Sequence, residues 1–194
     1  MIDAFARLWA TLREAATRRP DPEPPADPHA DPSWAAEVVR RALSAEGTGI
    51  YGLGKGGRDP SAASPLDARG LGDCSGFLAW CWFEPRHDPD DGEDEISGDW
   101  IYTDALEADG RGPQRFARRV LPADVQPGDG LVYGAGAKVG HCAIVIARPA
   151  VVRRFADVTV MHCHGPSGTG PAITRASGAL WDRKAGIAIR RVGR

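Results

Sequence analysis

The chain has 194 residues, 42% hydrophobic and 26% charged, with a formal net charge of −2. That length is enough for one domain with a core of its own. The near-neutral balance gives no electrostatic basis for binding nucleic acid or an anionic membrane. No stretch approaches the roughly 18 apolar residues that a transmembrane segment needs.

Residues 1–19 place Ile2, Phe5, Leu8, Trp9 and Leu12 at helical spacing, which predicts an amphipathic helix. Its apolar face needs cover, from the domain itself or from a second copy of the chain. Charges at Asp3, Arg7, Arg13, Glu14, Arg18 and Arg19 interrupt any signal-peptide apolar run. The expectation is therefore a cytoplasmic chain, with export left to a route that uses no such leader. Residues 20–32 hold six prolines among Asp, Glu and Ala and read as an extended linker. The remainder, 33–194, reads as one domain.

Asp31-Pro32 makes a cap and first turn for a second helix, with Trp34, Val38, Val39, Ala42 and Leu43 on one face and Gly47 and Gly49 ending it. Tyr51 to Gly72 is rich in Gly, Ser, Pro and Asp and reads as a loop. A third helix starts at Cys74, buries Phe77, Leu78, Cys81 and Trp82, and stops before Pro85. Residues 84–112 include the acidic run from His87 to Glu95, read as a solvated loop. Its Asp88-Pro89-Asp90-Asp91-Gly92 spacing does not fit a calcium loop. Trp100, Tyr102 and Phe116 either pack down or line a groove.

Pro127-Gly128-Asp129 reads as a turn into a strand at 131–133, followed by strands at 141–147, 158–163 and 186–191. Helices first and strands afterwards predict an α+β fold: a papain-like core with N-terminal helices packed on an antiparallel sheet and a nucleophile at a helix N-terminus.

The chemistry-bearing residues follow from that layout. Asp73 can cap the third helix, because its carboxylate accepts free N–H groups of the first turn. Cys74 then sits where the helix dipole favours negative charge and a thiol loses its proton more readily. Downstream, His141 opens an apolar strand, and His162 and His164 share one face of the next. Cysteine, histidine and a polar orienting group, in that order, match a papain-like thiol hydrolase. Each piece alone also has a plain structural reading, as a buried thiol or a satisfied strand histidine. Cys74 and Cys81 lie too far apart along one helix for a disulfide, and Cys142 and Cys163 read as core residues on the sheet face away from the histidines.

Together, Tyr51 with Gly56-Gly57, Asp73-Cys74-Ser75-Gly76-Phe77, Pro127-Gly128-Asp129, Gly140-His141 and Met161-His162 resemble the NlpC-type family of bacterial cell-wall cysteine peptidases. The resemblance spans roughly residues 34–190, and its most specific element is Asp-Cys-Ser-Gly-Phe. It implies Cys74 as nucleophile, His141 as base and His162 as the group that orients His141. His162 is preferred to His164 because the family places this group directly after an apolar pair, here Val160-Met161. The resemblance also implies Tyr51, Asp73 and Ser75 as substrate-binding residues. The implied substrate is a peptidoglycan-derived stem peptide, cut at a γ-D-glutamyl to diaminopimelate amide, with no cofactor and no metal. Gly130, the Cys142-Ala143 pair, the long loop from Tyr51 to Cys74 and the acidic insertion depart from the family pattern. Two further readings are another thiol-dependent amidase, deamidase or acyltransferase, and a zinc-binding or inactive interaction module. Cys74, His141, His162 and His164 are ligand types, but they lack a paired Cys-x-x-Cys spacing.

Overall fold

The computed structural model describes residues 32–86, 101–134, 136 and 140–192. The amphipathic helix expected over 1–19, the linker up to residue 31 and the acidic run after Arg86 lie outside the described residues, as does Trp100.

The first described helix, α1 (Pro32–Ser44), starts with Pro in its first turn, where a missing N–H costs nothing. Val38 and Ala42 are fully buried, and Trp34 and Val39 pack against the same core. The chain then passes through left-handed glycines at 47 and 49 into a short parallel pair, β1 (Ile50–Tyr51) with β2 (Leu71–Gly72). Between these lies the long loop expected from composition. Arg41 fastens it, donating to the Pro60 and Ala62 carbonyls while its guanidinium lies between the Trp80 and Phe83 rings.

Helix α2 (Cys74–Cys81) is the centre of the molecule, and all eight of its residues are buried. A helix covered on every side needs partners on every side. The sheet supplies one, and α1 with the 52–69 loop supplies the other. The fit between loop and helix depends on glycine. Gly57 has φ +72°, and a Cβ there would run into the Gly76 carbonyl of α2. Gly57→Ala is therefore expected to destabilise at the upper end of the roughly 1–3 kcal/mol typical of overpacking, read as a lowered denaturation midpoint.

The segment 84–112, of which sequence assigned only the acidic run, contains a helix, α3 (Thr103–Arg111). Leu106 and Gly110 are its buried positions, and Gly110 lets the helix lie against Ile187 and Ile189. Of the three aromatics left open by sequence, Phe116 packs near Trp82, at 6.0 Å between ring centroids, whereas Tyr102 is exposed.

The main sheet has six antiparallel strands in the order β3-β8-β4-β5-β6-β7. They are β3 (Ala117–Val120), β4 (Gly130–Tyr133), β5 (His141–Ala147), β6 (Thr159–Cys163), β7 (Ile173–Ser177) and β8 (Ile187–Arg191). The four central strands are those expected from sequence; the edge strands β3 and β7 are additions. So is a short helix, α4 (Ala179–Arg183), between β7 and β8. Period-two alternation separates two cores. Val132, Cys142, Ile144, Ile146, Met161, Cys163, Ile187 and Ile189 face the helices. Leu131, Ala143, Val145, Val160 and Ala188 face the opposite side, under Phe155 and Trp181. The fold is α+β, with the Cys74 helix packed on an antiparallel sheet. No helix among the described residues is long and apolar enough to cross a membrane.

Candidate active site

Asp73 precedes α2 with extended backbone, and its Oδ1 accepts the Gly76 N–H at 2.9 Å. This is the cap expected from sequence, and it aims the first turn of the helix at the sheet. The same carboxylate is fully occupied from other directions. The Ser75 hydroxyl donates to Oδ1 at 3.2 Å, while the Gly54 N–H and Arg86 Nη2 donate to Oδ2 at 2.7 and 3.0 Å. Asp73 is 1% exposed and Ser75 4%, so both residues face inward and lock the Cys74 helix to the Gly54–Gly57 turn. Arg86 was not singled out from sequence. It lies thirteen positions beyond the carboxylate it pairs with, and no local pattern announces such a contact.

Cys74 occupies the first helical position, beside β5. Cys142 and His141, both on β5, are the polar neighbours that act on its sulfur. Cys142 and then His141 pull the Cys74 thiol well below its ordinary pKa, against the opposing effect of burial. All four cysteines are free thiols.

His141 opens β5, and its Nε2 lies 2.8 Å from His162 Nδ1 on β6. With Nε2 engaged, Nδ1 is the nitrogen left for the Cys74 sulfur. Trp181 of α4 stacks on the imidazole, at 5.4 Å between centroids and 26° between planes, and fixes its plane. Tyr133, opposite His141 in the β4–β5 register, sits 6.3 Å away. Trp181 was also missed, because the five-residue helix that carries it has no distinctive pattern.

His162 is 6% exposed, and burial, with smaller effects from His141 and His164, holds its pKa down to about 3. A neutral His162 carries one ring proton, and its tautomer sets which of the two facing nitrogens donates. His164 follows the end of β6 and is exposed, with its ring 5.6 Å from that of His141 and no hydrogen bond to it. An unfolded histidine takes its proton near pH 6.5. Between about pH 3 and 6.5 the native state therefore binds fewer protons than the unfolded chain at His162, and stability falls as the pH drops through that window. Replacing His162 by Gln should flatten the dependence of the denaturation midpoint on pH between 7 and 4.

Tyr51, half-buried on β1, faces the same cluster. Burial, then the charge of Cys74, pushes its hydroxyl far up, so it stays protonated and can donate. The Cys74 N–H, first in its helix, has no intrahelical acceptor. Of the six sequence-derived residues, His141 meets His162, Tyr51 packs against the core that holds Cys74, and Asp73 and Ser75 are tied together beneath the first turn of α2. Cys142 is a further neighbour of the Cys74 sulfur. Its place was legible in principle, since alternation puts the residue after His141 on the helix-facing side of β5. Among the described residues no group of three His, Cys, Asp or Glu side chains is arranged to hold a metal ion.

No family model matches the chain, and no curated protein matches it. Among solved structures, the chain is similar to the crystal structure of the NlpC/p60 domain of the peptidoglycan hydrolase SagA. That likeness has a TM-score of 0.43 and 17% sequence identity, over 82% of this chain and 98% of that one.

Proposed function

We propose that the protein is a cysteine peptidase or amidase acting on peptidoglycan stem peptides, at an amide of the γ-D-glutamyl to diaminopimelate type. Cys74 is the nucleophile, His141 the base and His162 the residue that orients it. The observation that carries this reading is the 2.8 Å contact from His141 Nε2 to His162 Nδ1, with the other face of the relay at the Cys74 sulfur. The substrate class rests on the Asp73-Cys74-Ser75-Gly76-Phe77 motif and its resemblance to cell-wall peptidases.

In this mechanism the Cys74 thiolate attacks the amide carbonyl carbon. Negative charge develops on the carbonyl oxygen, where the Cys74 N–H and the Tyr51 hydroxyl can donate to it. His141 delivers a proton to the departing amine nitrogen as the C–N bond breaks, leaving an acyl-thioester on Cys74. Water then gives its proton to His141 and attacks the thioester, which releases the carboxylate and restores the thiolate. His162 stays neutral throughout, and Trp181 keeps the His141 ring in line. Asp73 and Ser75 serve by rigidity: the turn they tie together holds the nucleophile in one place.

The test is digestion of purified muropeptides followed by mass spectrometry. Cleavage between D-glutamate and diaminopimelate is the expected result. Cleavage only at a side-chain carboxamide would move the protein to the deamidases, and no product from any stem peptide would remove the substrate assignment. Within the same assay, His162→Gln should keep more activity than His162→Ala, and His164→Ala should be the mildest of the three. A larger loss from His164→Ala would reassign the orienting role.

A further inference from the structure

We propose that the end of the sheet away from His141 is a docking surface for an anionic lipid bilayer, built from arginines around exposed aliphatic side chains. The proposal goes beyond the hydrolase reading and does not depend on which amide is cut.

The surface begins where β5 ends. His141 opens that strand and Arg148 follows its last residue, so roughly 20 Å of extended chain separates the two. A cleft of about 530 Å³ lies at this end, lined by Arg118, Arg119, Arg148 and Arg190 together with Leu121. Arg118 stands opposite Arg190 in the β3–β8 register. Arg148 fastens the adjoining turns, donating to the Val125 carbonyl at 2.8 Å and to those of Pro149 and Ala150 at 3.0 Å each. Val151 comes next in the chain and is 67% exposed, while Leu121 is 63% exposed. Among the described large hydrophobic side chains only Leu53 is as open to water.

Positive charge prevails here. Asp124 is the one acidic residue in the cleft lining among the described residues. Asp129 is buried behind it, with both carboxylate oxygens taken by the Arg190 guanidinium at 2.7 and 2.9 Å. The formal net charge of −2 conceals this surface, because six carboxylates are concentrated in residues 88–95. Arginines on the edge strand β3 also discourage pairing with another sheet. That role concerns the edge alone and leaves the exposure of Leu121 and Val151 unexplained.

A bilayer accounts for both features. Guanidinium groups meet lipid phosphates through paired N–H donors, and aliphatic side chains between them enter the headgroup boundary. A soluble polyanion would engage the arginines and leave the aliphatic groups in water. With this end on the membrane, the His141 end of β5 points away from the lipid.

The experiment is co-sedimentation of the full-length protein with vesicles of phosphatidylglycerol and phosphatidylcholine, and with vesicles of phosphatidylcholine alone. Binding to the anionic vesicles should be at least about tenfold tighter and should weaken as salt is raised. Arg118→Ala with Arg119→Ala should lower the affinity about twentyfold, near fivefold for each arginine lost from an anionic surface. Leu121→Ser with Val151→Ser should lower it about tenfold. Circular dichroism establishes that each pair is folded, and the single substitutions replace a pair that is not. Equal binding to both kinds of vesicle, or sedimentation with neither, overturns the proposal. Wild-type affinity in either variant pair overturns it as well. If only the arginine pair weakens binding, and soluble polyphosphate is held as tightly as the vesicles, the surface belongs to a soluble polyanion instead.

Discussion

Changing Cys74 to Ser or Ala should abolish amide hydrolysis while the fold survives. Nucleophile and base act as one unit, so His141→Ala should lose nearly as much, on the order of 10⁴–10⁶-fold in kcat by analogy with other nucleophile–base pairs. The double variant should be little worse than either single one. This pattern distinguishes a relay from two independent contributions, which would multiply. Steady-state rates on a muropeptide, with circular dichroism and thermal melts to establish that each variant is folded, supply the measurement. Cys81→Ala and Cys163→Ala serve as comparisons. Both thiols are buried, Cys163 donating to the Gly72 carbonyl at 3.3 Å, so their loss should cost stability and leave the chemistry in place.

The second large effect is on stability and centres on Arg86. Its guanidinium and the Asp73 carboxylate form an ion pair at 3.0 Å, with side chains 4% and 2% exposed. Removing one partner of such a pair leaves a buried charge without compensation, at a cost of about 3–5 kcal/mol. Arg86→Ala should therefore lower the unfolding free energy by that amount. Because Asp73 caps α2, activity should fall further than the folded fraction alone explains. Arg86→Ala combined with Asp73→Asn should recover part of the stability, because the neutral amide no longer needs a cation. Asn still accepts the Gly76 N–H and preserves the cap. Urea denaturation of the three variants gives the free energies, and a double-mutant cycle gives the coupling.

The parts of this fold that were legible in the sequence are those whose signal is local. The α2 cap follows from Asp73 preceding Cys74, and β4, β5, β6 and β8 follow from dense apolar runs bounded by Gly, Pro or Arg. The edge strands escaped because they carry little of that signal. Residues 117–120 are Ala-Arg-Arg-Val, with only the ends buried, and residues 173–177 alternate about a polar centre. Helix α3 buries only Leu106 and Gly110, and one of the two is a glycine. An amphipathic pattern of that kind is too thin to read.

The site divides along the same line. His162 and His164 share a strand face, so alternation cannot separate them. Depth does: His162 lies within β6 and meets His141, whereas His164 lies just past its end in solvent. Arg86 and Trp181 reach the site through contacts distant in sequence, which no motif encodes.

The central claim is that a thiolate at Cys74 forms a covalent acyl intermediate, and hydroxylamine trapping tests it most directly. Muropeptide digested in the presence of hydroxylamine should yield the acyl hydroxamate at the expense of the free carboxylate, with amine release continuing and Cys74→Ala producing neither. Release of amine and carboxylate without hydroxamate, or unchanged products from Cys74→Ala, would mean that water attacks the amide directly and would contradict the account.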